Sequence, residues 1–142
     1  MSWLLDTNVI SELRKGPRCN GGVLAWHHAA VSQEVFLSVL VIGELRRGVE
    51  LKRHNGDRLA AAALERWLER ALADYGGRIL PISRAIADAW GRMNVADPVP
   101  VIDGLLSATA LVHDLTLVTR NIAHVERTGA RCLNPFTANA PG

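Results

Sequence analysis

"PVIDGLLSATALVHDLTLVTRN", residues 100–121, holds an apolar helix and an apolar strand separated by a single turn, and this junction decides the fold class. The turn-rich "ADPVP" at 96–100 ends where a helix over 102–113 can begin, and "LTLVT" at 115–119 is the clearest strand in the chain. The same alternation extends outward. Upstream, 3–5 reads as a strand, 7–15 as a short helix stopped by Gly16-Pro17, 23–30 as a helix and 35–38 as a second strand. Ser38 is placed to cap a helix over 39–53, and after the break at Asn55-Gly56 an Ala- and Leu-rich helix over 57–73 folds back as a hairpin. A short strand at 79–81 precedes a helix that runs from the Ser83 cap to 94; downstream come a helical turn at 122–126 and a last strand at 131–133. Strands separated by helices imply a parallel sheet with right-handed crossovers. The expected fold is α/β: a three-layer α/β/α domain over 1–136 around a parallel sheet of four or five strands, with a disordered polar tail at 137–142.

Composition sets limits on function. At 142 residues and 49% apolar content the chain suits one domain, which at this size buries roughly 68 to 70% of its unfolded surface. No basic segment followed by an apolar run opens the sequence, and no apolar stretch reaches the ~20 residues of a membrane span, so a cytoplasmic location without membrane contact is expected. Cys19 and Cys132 have no C-x-x-C spacing, which argues against a disulfide framework or a zinc site. The net charge of +2, with Arg far outnumbering Lys, is compatible with a phosphate-rich partner without demanding one.

In parallel sheets ligands gather at the carboxyl ends of the strands. Asp6 directly follows the first strand, Asn121 lies two residues after Thr119 where "LTLVT" ends, and Asp103 falls in the first turn of the helix before that strand. Glu44 sits in the helix after the second strand, at the border of an apolar face formed with Leu40, Val41 and Gly48. Each has a plain structural reading: Asp6 as a helix cap that leaves one oxygen free, Glu44 in a surface pair with Arg47, Asp103 as a carboxylate favoured by a helix dipole. Asp103, however, stands in otherwise apolar surroundings, and Gly104 beside it leaves room for something to approach. Three converging carboxylates would repel one another by about 3 kcal/mol per pair at ~5 Å and an effective dielectric of ~20. A cation removes that penalty, and an all-oxygen set favours Mg²⁺ or Mn²⁺, ions suited to in-line phosphodiester chemistry.

The segments "LLDTNVISEL" (4–13), "LVIGELRRGV" (40–49), "PVIDGLLSATALVHDLTLVTRN" (100–121) and "LNPF" (133–136) resemble a PIN-domain protein of the VapC toxin type, in the family's order and spacing over nearly the whole chain. The resemblance implies a Mg²⁺- or Mn²⁺-dependent endoribonuclease that hydrolyses RNA phosphodiester bonds, the toxin of a toxin–antitoxin pair. It also implies a homodimer and a cognate, co-encoded, DNA-binding antitoxin that blocks the site. Carried over, Asp6, Glu44 and Asp103 would ligate the metal directly or through water. At the fourth position, where an acid is common, this chain has Asn121 and then His124; a neutral Asn still orients a metal-bound water but weakens a second metal site. Thr7, Asn8 and Thr119 either position water or phosphate or serve as turn and capping residues. Arg46, Arg47, Arg84, Arg92 and above all Arg120 are the candidates for the RNA backbone. Trp26, Trp67 and Trp90 read as core or interface, and the Ala/Leu faces of 57–73 as a surface for a homodimer or the antitoxin. Two rivals remain. A haloacid-dehalogenase-like phosphatase needs a second Asp where Asn8 stands, and a PIN-like domain with weak or no nuclease activity would only bind RNA or its partner.

Overall fold

The computed structural model describes residues 1–137; of the expected tail at 137–142, all but the first residue lies outside the described residues. The strands are β1 (Trp3–Leu5), β2 (Val35–Ser38), β3 (Ile79–Leu80), β4 (Thr116–Val118) and β5 (Cys132–Leu133). Between them run α1 (Thr7–Leu13), α2 (Gly21–Ala29), α3 (Val39–His54), α4 (Arg58–Tyr75), α5 (Arg84–Met93), α6 (Val101–His113) and α7 (Ile122–Glu126). All strand pairs are parallel, in the order β3-β2-β1-β4-β5, so the five-strand alternative holds. Helices flank this sheet. Leu4, Leu5, Leu37, Leu117 and Val118 are fully buried, which is why the strands are runs of aliphatic residues rather than alternating patterns.

The strand order explains where polar groups can gather. From β1 the chain steps outward through β2 to β3, then crosses back to β4 on the other side of β1. The direction reverses between β1 and β4, and a crevice opens outside the carboxyl ends of strands at such a switch point. Pairing of Leu4 with Leu117 and Leu5 with Val118 aligns the two ends, so Asp6 and Thr119 leave the sheet side by side.

Local chemistry sets most boundaries. Ser38 caps α3 by accepting the Leu40 N–H at 3.1 Å, Asp57 caps α4 through Ala60 at 3.1 Å, and Ser83 caps α5 through Ile86 at 3.2 Å. Helix α2 begins two residues earlier than expected because Asn20 accepts the N–H groups of Gly22 and Val23. Helix α1 ends at Leu13, short of residue 15, and gives way to a 3₁₀ turn at Gly16–Arg18. The single turn between α6 and β4 is made by Asp114 in the left-handed region at φ 55°, which Asp tolerates better than most residues. Helices α3 and α4 form the expected hairpin, burying Val41, Leu45 and Val49 with Ala61, Leu64 and Leu68.

Gly104 does not leave an open approach. A Cβ there would lie 3.0 Å from two atoms of the Trp90 indole and 3.3 Å from Val99 Cγ2, so the missing side chain lets α5 pack its tryptophan against α6. Among the described residues no helix is long and apolar enough to cross a membrane.

Candidate functional site

Asp6 is where β1 becomes α1. Its N–H still donates to Val118 O at 2.9 Å, continuing the β1–β4 ladder, while its own backbone is extended and its Oδ1 accepts the Thr7 N–H at 2.7 Å as a helix cap. The side chain is only 5% exposed. Its second oxygen is occupied too, contrary to the expected free one: Oδ2 accepts the Thr119 hydroxyl at 2.7 Å and the Asn8 amide at 3.3 Å. Oδ1, with one donor, is the oxygen that keeps a lone pair.

Thr119 and Asn8 lock the two strand ends together. The Thr119 hydroxyl, fully buried, donates to Asp6 and accepts the Asn121 N–H at 3.0 Å; Asn8 Oδ1 accepts the Arg120 N–H at 3.2 Å. Thr119 lies outside the strand proper although its N–H reaches Leu133 O at 2.9 Å. A hydroxyl at this spot satisfies a carboxylate and a turning backbone at once.

Glu44 is half-buried on α3, about a turn and a half from its start. It does not pair with Arg47. Its Oε1 accepts the Thr7 hydroxyl at 2.5 Å, so Thr7 closes the α1 cap with its N–H and holds Glu44 with its side chain. Asp103 is the third residue of α6, favoured there by the helix dipole, and is 16% exposed. Its Oδ2 lies 2.8 Å from His124 Nδ1 on α7.

The three acids share one field. Burial pushes the Asp6 carboxyl above its ordinary range; hydrogen bonds from Thr119 and Thr7 pull it back, and the charges of Asp103 and Glu44 push it up again. Among the described residues, no three such side chains stand close enough to hold an ion by themselves. That still fits Mg²⁺, which keeps several waters and uses one or two carboxylates plus substrate phosphate. The donors within the cluster are oxygens, which suits Mg²⁺ or Mn²⁺ rather than zinc.

The family model described as "PIN domain" matches residues 3–129. The chain belongs to the PIN domain family. It is 33% identical over 138 residues to Toxin FitB of Neisseria gonorrhoeae, covering 94% of this chain and 97% of that one. It is 34% identical over 139 residues to VapC ribonuclease Y4jK of Sinorhizobium fredii, covering 94% and 96%. Among solved structures it is similar to the crystal structure of FitAcB from Neisseria gonorrhoeae, with a TM-score of 0.85 and 32% identity over 94% of this chain and 98% of that chain.

Within this PIN domain the remaining sequence candidates separate. Asn121 is exposed; its backbone serves Thr119, and its side chain makes no capping bond to α7. The group on this segment that reaches an acid is His124. Arg120 lays its guanidinium 3.8 Å from the centre of the Phe136 ring, at the rim beside Asn8. Phe136 is a residue that sequence reasoning missed except as part of "LNPF". The lack of a Cβ at Gly22 admits the Pro135 carbonyl, since a Cβ there would lie 2.3 Å from it. Arg46 pairs with Glu65 across the α3–α4 hairpin at 2.5 Å, and the exposed Arg92 pairs with Asp88 on its own helix at 2.8 Å. Trp26 stands edge-on to Trp3 at 5.6 Å, and Trp67 lines a cleft with Ile10, Leu13, Ala71 and Tyr75.

Proposed function

We propose that this PIN domain is a Mg²⁺- or Mn²⁺-dependent endoribonuclease and the toxin of a toxin–antitoxin pair, working with a cognate DNA-binding antitoxin and as a homodimer. One observation carries the chemistry. Asp6 is buried at the switch point of the sheet, and the charges that bear on it are those of two further acids, Asp103 and Glu44. A bound cation offsets that repulsion, and its likeness to Toxin FitB and to a VapC ribonuclease over nearly the full length supports the toxin reading.

In this reading Asp6, Asp103 and Glu44 hold the cation directly or through water. When bound, the ion supplies a more acidic water and neutralises charge developing on the phosphate. The chain's own groups do the positioning. Thr119 and Asn8 fix the Asp6 carboxylate, Thr7 fixes Glu44, and Arg120 meets the RNA phosphate from the rim. Asn121, at the exposed edge of the same turn, offers an amide to water or phosphate.

A second reading has its own observation: the exposed Asn121 stands where the family resemblance expects an acid, which favours a PIN-like domain that binds RNA or a partner without cutting. Antitoxin-free protein incubated with structured RNA and Mg²⁺ or Mn²⁺ separates the two. Cleavage that is lost with EDTA and in Asp103→Asn is the expected result. Binding without cleavage by the wild type selects the second reading, and cleavage undiminished in Asp103→Asn overturns the site.

A further inference from the structure

We propose that His124 is a positioning residue for Asp103, fixing one of its carboxylate oxygens so that the other faces the cation. The inference rests on the metal reading of the acid cluster and extends it to a residue of a different type. His124 is the third residue of α7, the short helix that follows β4. Its Nδ1 lies 2.8 Å from Asp103 Oδ2. A carboxylate oxygen only accepts, so Nδ1 carries the hydrogen, and in the neutral ring Nε2 is the unprotonated nitrogen.

The geometry divides Asp103 into two unlike oxygens. Oδ2 is engaged by the imidazole, whereas Oδ1 has no side-chain donor among the described residues. Asp103 therefore repeats the arrangement seen at Asp6, where Thr119 and Asn8 engage Oδ2. Hydrogen bonds behind a ligating carboxylate orient it and commonly account for about 10- to 100-fold in metal affinity. An acid in place of His124 would add negative charge to a cluster in which Asp103 and Glu44 already act unfavourably on Asp6; a histidine adds a donor instead. This gives the segment after β4 a function despite its missing acid. His124 is 43% exposed, so its replacement removes the hydrogen bond without opening the core.

The test is calorimetric titration of Mn²⁺ into wild type, His124→Leu and His124→Asn, with metal-free melting temperatures measured alongside. Asn places an amide donor near the Nδ1 position, whereas Leu has none. The expected result is Mn²⁺ affinity about 10- to 100-fold weaker in His124→Leu and largely restored in His124→Asn. A histidine that only ties α7 to α6 would lower the melting temperature of both variants and leave Mn²⁺ affinity within about threefold, and that result overturns the proposal. If the wild type binds no Mn²⁺, the metal reading falls and this inference with it. If the wild type binds and cleaves while His124→Leu matches it, only this inference falls.

Discussion

Replacing Thr119 by Val probes the centre of the site with almost no change of shape. The Thr119 side chain is fully buried, and its hydroxyl donates at 2.7 Å to a carboxylate that is itself 5% exposed. A hydrogen bond to a charged group contributes about 1.5–3 kcal/mol, and the longer bond from Asn8, at 3.3 Å, remains to compensate in part. The freed Asn121 N–H belongs to an exposed residue and can turn to water, so it adds little. The loss is then about 1.5–2 kcal/mol, and a domain of this size shifts by roughly 3 °C per kcal/mol, which gives a fall of about 5 °C in metal-free melting temperature. Thr119→Ser, which keeps the hydroxyl, should fall by clearly less.

The sign of the pH dependence follows from Asp6. Its carboxyl titrates higher in the folded protein than in the unfolded chain, so folding takes up a proton in that window. Stability linked to Asp6 is complete below the ordinary carboxylate range and is lost as pH rises through the raised value. The Thr119→Val deficit belongs to the charged form and should shrink on acidification through the same window. Thermal unfolding by circular dichroism at neutral and acidic pH reads both effects. A Thr119→Val protein melting within 1 °C of wild type at neutral pH would refute the argument that this hydroxyl supports a buried charge.

Two further perturbations test the frame around the site. Gly104→Ala places a Cβ 3.0 Å from the Trp90 indole; overpacking of about 1–3 kcal/mol outweighs the helix-propensity gain of about 1 kcal/mol, so the melting temperature should drop by a few degrees, and an unchanged or raised value contradicts the packing. Glu12 accepts the Lys15 ammonium and the Asn20 N–H, which hold its carboxyl below the ordinary range. Its stabilisation is present above the ordinary carboxylate pKa and lost as pH falls through the lowered one, so Glu12→Gln should be less stable at neutral pH and match wild type in strong acid. Equal stability of the two proteins at neutral pH contradicts it.

What the sequence made legible was local. The strands and helices announced themselves through apolar runs and breaks, and Ser38 and Ser83 are caps because a short polar side chain before an apolar run has few other uses; Asp57, read as the first residue of its helix, is instead the cap of α4. Asp6, Glu44 and Asp103 stood out as acids placed against apolar neighbours. The partners of those residues were not legible, since they come from elsewhere in the chain. Glu44 turns to Thr7, 37 positions away, rather than to Arg47 one turn on, and Arg46 meets Glu65 across a hairpin. Trp90 fills the space that Gly104 leaves, a contact set by how α5 packs on α6. His124 was visible only as the residue standing where an acid is common; its contact, a 2.8 Å approach to a residue 21 positions earlier, was not legible for the same reason. The reversal between β1 and β4, which brings two strand ends far apart in sequence side by side, follows from the order of strands across the sheet.

The proposed nuclease activity depends on the acids around the β1–β4 switch point holding a cation. An anomalous difference map from crystals of the antitoxin-free protein soaked in Mn²⁺ tests it most directly. The expected result is a peak within coordinating distance of Asp6 or Asp103, on the Oδ1 side of each, with Glu44 reached directly or through water. A Mn²⁺ peak elsewhere, or none at these carboxylates in a protein whose RNA cleavage requires Mn²⁺, would contradict it.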